Sequence, residues 1–235
     1  MRFTNMLMGA RISSLELRLE PLRDASSGEI IGRETRWELF DGGQTLDAED
    51  LLREEYAPEE YGLVDRWALR SALAIASEFS HERPTTSVHV DVRSIVDTDQ
   101  ARELYQWLRD YGSQLPHLAL EIDERFITQH ADTLGGFARA VRRLGLCVVV
   151  DNARNVTEIE AVLRHVHCDA IKIDGALIAG LARDMSARCA TARLVQIAHA
   201  HGMYAIALGV HDPQTWERAR DIGCDRVQGM STFPT

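Results

Sequence analysis

The stretch LCVVVDNARNVTEIEAVLRHVHCDAIKID, residues 146–174, decides the fold. Leu146–Asp151 is a short Val-rich apolar run, as a strand covered on both faces requires. Val156–His165 spaces its apolar residues by three and four, the signature of one buried helical face. Ala170–Asp174 is a second apolar run. Strand, helix and strand in succession imply parallel strands joined by a crossover helix. Both runs also end in charge, at Asp151 in the first and at Lys172 and Asp174 in the second.

Working outward, the same alternation fills the chain. Further strands are predicted at Leu15–Leu22, Ile30–Phe40, Ser87–Val92, His117–Asp123, Tyr204–Val210 and Asp225–Met230. Helices are predicted at Tyr61–Phe79, Gln100–Tyr111, Asp132–Leu144, Asp184–His201 and Pro213–Ile222. Gly145, Gly202 and Gly223 fall just past three of these helices, where a C-terminal glycine belongs. About eight units in roughly 250 residues is the size of a (β/α)8 barrel. The first two strands are joined by a turn at Asp24–Gly28, too short for a crossover, so the first strand is expected to run antiparallel to the second. An open doubly wound sheet would show a Gly-rich first turn, and none is present. The expected organisation is an N-terminal segment, 1–14, followed by one barrel domain, 15–235.

Composition narrows the function. With 45% apolar and 26% charged residues the chain is an ordinary globular one. Thirty-six acidic residues against 26 basic ones give a formal net charge of −10, the wrong sign for tracking a nucleic-acid polymer. Cys147, Cys168, Cys189 and Cys224 are widely spaced and form no C-x-x-C pair, so they read as buried thiols of a reducing compartment. No run approaches the ~18 apolar residues of a membrane helix, and the first residues do not resemble a signal peptide. A cytoplasmic protein is expected. Among 26 Lys and Arg residues, Lys172 is the single lysine. Where arginine serves everywhere else, a lone lysine marks a position needing a compact point charge.

Charge recurs at the C-terminal ends of the predicted strands: Glu34, Asp91, Glu121 with Glu124, Asp151, and Lys172 with Asp174. In a barrel this is the face that carries chemistry. Acids at four strand ends repel one another unless something positive lies between them. A divalent cation held by oxygen ligands and Lys172 are the two candidates. His165-x-His167 and His199-x-His201 look like ligand pairs, but residues two apart do not share a helical face. Asp97 before Gln100 reads as a helix N-cap.

These residues resemble the motifs of the EAL domain, a bacterial phosphodiesterase fold that linearises cyclic di-GMP. Gly32-Arg33-Glu34-Thr35-Arg36 is similar to the family's G-x-E-A-L, Val90-Asp91-Val92-Arg93 to V-N-L-S, and Leu120-Glu121-Ile122-Asp123-Glu124-Arg125 to L-E-I-T-E-S. Asp151-Asn152-Ala153-Arg154-Asn155-Val156 resembles D-D-F-G-T-G, Lys172-Ile173-Asp174 resembles K-I-D, and Ala207-Leu208-Gly209-Val210-His211 resembles A-E-G-V-E. Gly223-Cys224-Asp225, with Gln228-Gly229-Met230, resembles G-C-D and Q-G-Y. The resemblance implies an EAL-type modified (β/α)8 barrel. It also implies a two-metal site for phosphodiester attack. The first metal's ligands would be Glu34, Asp91, Glu121 and Asp151, and the ligand would be met by Glu34, Lys172, Asp174 and Gln228.

Departures from the pattern shape the functional expectation. Asn152 and Leu208 stand where the family has acids that serve the second metal and the water, and Glu38 stands where it has a phosphate-binding arginine. The expected protein is therefore a catalytically inactive EAL-like module that regulates by docking onto another protein. One Mg or Ca ion is the only cofactor expected. A cyclic di-GMP receptor without hydrolysis is the first alternative and a slow phosphodiesterase the second. Resemblance also offers homodimer contacts through Asn155–Arg164 and Ile178–His201.

Overall fold

The computed structural model describes residues 14–41, 44–47, 58–78, 85–112, 117–127 and 129–229. Apart from Ser14, the expected N-terminal segment lies outside the described residues. Two long strands open the fold, β1 (Ser14–Asp24) and β2 (Ile30–Asp41). Their turn closes through Gly28 N to Asp24 O at 2.9 Å, while Asp24 Oδ1 accepts from the backbone of Ser26 and Ser27. This is the Asx-type turn that Asp and Ser favour. A short β3 (Gln44–Asp47) pairs back on the far end of β2; its four residues gave no periodic signal.

The chain then alternates as expected. It runs through α1 (Pro58–Glu78), β4 (Thr85–His89), α2 (Val92–Val96), α3 (Thr98–Tyr111), β5 (Leu118–Asp123), α4 (Glu124–Ile127) and α5 (Ala131–Arg143). It continues through β6 (Cys147–Ala153), α6 (Val156–Val162), β7 (Ala170–Ile173), α7 (Gly175–Gly180), α8 (Met185–Ala200), β8 (Tyr204–Ala207), α9 (Pro213–Asp221) and β9 (Arg226–Gln228). Strand order runs β1-β9-β8-β7-β6-β5-β4-β2, and β1 pairs with β2, so the eight-stranded sheet closes on itself. β1 is antiparallel to both neighbours, and the other pairs in the ring are parallel. The fold is a (β/α)8 barrel with one reversed strand, the architecture the resemblance implied.

Two apolar layers hold it. Outward-facing strand residues such as Val88, Leu120, Val150 and Ile171 pack under the helices with Leu69, Leu104, Phe137 and Leu194. Inside the barrel a small plug of Leu22, Ala119, Val149, Ala170 and Ile206 forms a separate cluster. Side chains alternate faces along a strand, so the next inward residues after Ala119, Val149 and Ala170 are Glu121, Asp151 and Lys172. The charged layer sits on the apolar plug because of that period of two.

Two expectations need correcting. Cys168 and Cys224 are buried, but Cys147 is only half-buried and Cys189 is exposed. Cys189 lies on α8 at a position turned from the sheet, a distinction that cysteine spacing does not carry. Several elements also stop earlier than expected: β4 ends at His89 because Asp91 already caps α2, and β8 ends at Ala207 before Gly209 turns the backbone at φ 68°.

Candidate functional site

Lys172, on β7, is 2% exposed at the centre of the charged layer. Its Nζ lies 2.7 Å from Glu34 Oε2 on β2 and 2.5 Å from Glu121 Oε1 on β5. Gln228 on β9 donates its amide to the same Glu34 oxygen. Asp151, on β6, is also buried, and its Oδ1 and Glu121 Oε2 have no hydrogen-bond partner. Three buried carboxylates thus share one ammonium.

That imbalance sets the protonation pattern. Burial opposes ionisation of Glu34, but Lys172, with Arg36 and the bonds from Lys172 and Gln228, outweighs it and holds the carboxyl below its usual range. Burial first, and then the Glu34 charge, push Glu121 up to about 8, with Lys172 opposing. Asp151 is raised by burial, with Lys172 opposing and the Glu34 charge adding. Burial opposes the charge of Lys172, yet the charges of Glu121, Glu34 and Asp151 prevail and raise its pKa. The cluster therefore favours charge on Glu34 and Lys172 and biases Glu121 and Asp151 toward their neutral forms.

The other predicted acids are held at the rim. Asp91 caps α2 by accepting from Arg93 N at 2.8 Å, and the Arg93 guanidinium grips both its oxygens, Nε to Oδ1 at 2.8 Å and Nη2 to Oδ2 at 2.6 Å. Asp123 at the end of β5 repeats this with Arg125: backbone N to Oδ1 at 2.9 Å, Nε to Oδ1 at 3.0 Å and Nη2 to Oδ2 at 2.8 Å. Asp174 caps α7 through Ala176 N at 2.9 Å and pairs with Arg154 Nη2 at 2.8 Å. Glu124 accepts from Arg154 N at 2.7 Å, has its other oxygen unpartnered, and is pushed up to about 7 by burial.

The fold therefore brings Glu34, Glu121, Lys172 and Gln228 together, with Asp151 coupled to them, and keeps Asp91 in the Arg93 fork and Asp174 paired with Arg154. Among the described residues no three His, Cys, Asp or Glu side chains gather as a metal-holding group. The four expected ligands do not converge on one ion as they stand. Asn152, the only described non-glycine residue with positive φ (57°), donates its amide to Asp151 Oδ2 at 3.0 Å and to Asp123 Oδ2 at 3.3 Å. It acts as a donor between acids, while Leu208, at the end of β8, brings no polar atom. The side chain of Glu38 lies outside the described residues. Asp123 and the three rim arginines are the residues sequence reasoning undervalued. The repeated Asp-x-Arg of 91–93 and 123–125 was the signal for Asp123, Arg93 and Arg125, and Arg154 lies outside it.

A closed ring of mostly parallel strands with its polar side chains at the C-terminal mouth defines a (β/α)8 barrel of the class that carries its site there. The family model described as the EAL domain matches residues 5–234, so the chain belongs to the EAL domain family. The chain is 26% identical over 227 residues to the cyclic di-GMP phosphodiesterase NbdA of Pseudomonas aeruginosa, covering 93% of this chain and 28% of that protein. It is 23% identical over 213 residues to the RNase E specificity factor CsrD of Escherichia coli, covering 86% and 31%. Among solved structures, the FimX EAL domain from Pseudomonas aeruginosa bound to cyclic di-GMP superposes with a TM-score of 0.76 at 19% identity, over 92% of this chain and 88% of that one. The chain spans between a quarter and about a third of the length of the curated relatives it matches.

Proposed function

We propose that this chain is a non-hydrolysing EAL barrel that acts in the cytoplasm as a regulatory protein-interaction module in cyclic di-GMP-related signalling. The observation that carries the reading is that four acids of the mouth are already engaged by cationic side chains of the chain itself. Lys172 answers Glu34, Arg93 answers Asp91, Arg125 answers Asp123 and Arg154 answers Asp174. Asn152 spends its amide on Asp151 and Asp123. Attack on a phosphodiester needs an activated water and a clamp on the attacked group. Among the described residues of the mouth, Leu208 and Asn152 supply neither a base nor an anionic ligand where the family has acids. CsrD shows by its name that a relative's role can be stated without phosphodiester chemistry.

A second reading, a receptor that binds cyclic di-GMP and leaves it intact, is favoured by one observation. The buried Glu34–Lys172–Gln228 cluster is assembled with a short ion pair, although an abandoned pocket has no need to keep it. In that reading Lys172, Gln228 and the rim arginines supply donors toward phosphate and base.

The two readings separate by experiment. Affinity isolation of the full chain from its native cell is expected to recover a stoichiometric protein partner. Calorimetry with cyclic di-GMP, with and without Mg2+, is expected to show weak binding or none. No partner, together with a Kd of about 1 μM or tighter, an affinity near 8 kcal/mol, would establish the receptor reading instead.

A further inference from the structure

We infer that Arg93 is the residue that denies this mouth a divalent cation, because its guanidinium occupies both oxygens of Asp91. A hard divalent ion needs six or more oxygens, and the protein supplies the charged ones. Among the side chains of the buried cluster, oxygens without a hydrogen-bond partner are on Glu121, Asp151 and Gln228, and only the first two belong to acids. Glu34 gives Oε2 to both Lys172 and Gln228. Asp91 is the remaining acid of the expected set, and it is gripped at 2.8 and 2.6 Å by one planar fork. A bidentate guanidinium–carboxylate pair is the strongest of the side-chain ion pairs and is geometrically specific. An arriving cation would have to break it and would meet the charges of both Arg93 and Lys172.

The device is local to this sequence. Arg93 stands two residues after Asp91, and its backbone N–H donates to the same oxygen that the side chain holds. That backbone bond is the N-cap of α2, and it does not depend on what side chain residue 93 carries. Substituting Arg93 therefore frees two of three interactions on Asp91 while leaving the cap in place. As it stands Asp91 does not gather with Glu121 and Asp151 into a metal-holding group; once freed, its carboxylate can turn toward their unpartnered oxygens, and a divalent cation supplies the attraction that draws the three acids together.

The mouth is the one discussed under the proposed function, but the readout here is cation uptake with no nucleotide present, so either conclusion can fail while the other stands. Mn2+ would be titrated into the full chain by calorimetry, with free Mn2+ followed by electron paramagnetic resonance. Wild type is expected to show no saturable uptake at millimolar Mn2+. Arg93→Ser is expected to bind at least tenfold more tightly, a change of about 1.4 kcal/mol, and Arg93→Ser with Asp91→Ala is expected to lose that gain. Arg93→Gln serves the same purpose should the serine variant fail to fold. Equal uptake by wild type and Arg93→Ser, uptake by neither, or a gain that survives Asp91→Ala would overturn the inference.

Discussion

Replacing Lys172 with methionine preserves the length of the side chain and removes its charge. That charge lies 2.7 Å from Glu34 and 2.5 Å from Glu121, and none of the three side chains exceeds 8% exposure. Without it, Glu34 is a buried carboxylate supported only by the charge of Arg36 and the amide of Gln228. Removing one partner of a buried ion pair costs about 3–5 kcal/mol. The carboxylate can escape part of that cost by taking up a proton, which makes the effect depend on pH. In the wild type Glu34 is held below its usual range, so its contribution is present above the unfolded pKa and is lost as pH falls through the folded one. In the variant, burial acts unopposed by Lys172 and raises Glu34, so that contribution reverses sign and stability falls as pH rises. The gap between the two proteins therefore widens with pH. For a chain of 235 residues, a loss of that size lowers Tm by about 10 °C at pH 8, at roughly 2–4 °C per kcal/mol. Urea unfolding of wild type, Lys172→Met and Lys172→Met/Glu34→Gln at pH 5.5 and 8 measures it. The double variant should recover much of the loss, because it removes the stranded charge. A gap under about 1 kcal/mol at pH 8, below the range for a broken buried pair, or no recovery by Glu34→Gln, would refute the charge-pair reasoning.

Glu124 offers a second pH test. Burial lifts its carboxyl to about 7, above the unfolded value, so the folded chain holds a proton that the unfolded chain releases. Its contribution therefore falls as pH rises from about 4.5 to 7, by roughly 1–2 kcal/mol after allowance for partial solvation. Glu124→Gln should flatten that part of a urea-derived stability–pH profile. Asn152→Asp replaces a donor with a carboxylate beside Asp123 and Asp151. It should cost about 1–3 kcal/mol at pH 8 and less at pH 5, read from the same unfolding curves. Gly229 has φ 126°, and a Cβ there would lie 2.8 Å from Val210 N. Gly229→Ala should therefore lower Tm by at least 2–4 °C, since alanine at positive φ costs more than about 1 kcal/mol.

Much of the barrel could be read from the chain because its signals are local. The runs at 146–151 and 170–174, with the helix between them, define a parallel unit. The short Asp24–Gly28 turn forces β1 to reverse. Elements of four to six residues, β3, α2, α4 and α7, were missed because so few residues carry no period. The centre of the site was legible for a different reason. A single lysine among arginines, at a strand end, pointed to Lys172, and the period of two turned it toward Glu121 and Asp151. The rim was not. Asp91 belongs by alignment with the other acids, but its side chain follows Arg93, and a fork between residues two apart on a strand-to-helix turn has no periodic signature. Asp123 escaped for a related reason: its strand register placed it opposite Asp151, a neighbour twenty-eight positions away in the chain.

Phosphodiester cleavage tests the central claim most directly. The full chain would be incubated with cyclic di-GMP in Mg2+ or Mn2+, and the linear product resolved from the cyclic dinucleotide by reversed-phase chromatography. The account predicts that the nucleotide stays cyclic. Turnover on the order of 1 s−1 or faster, an ordinary enzymatic rate, that disappears in Glu34→Ala would contradict it.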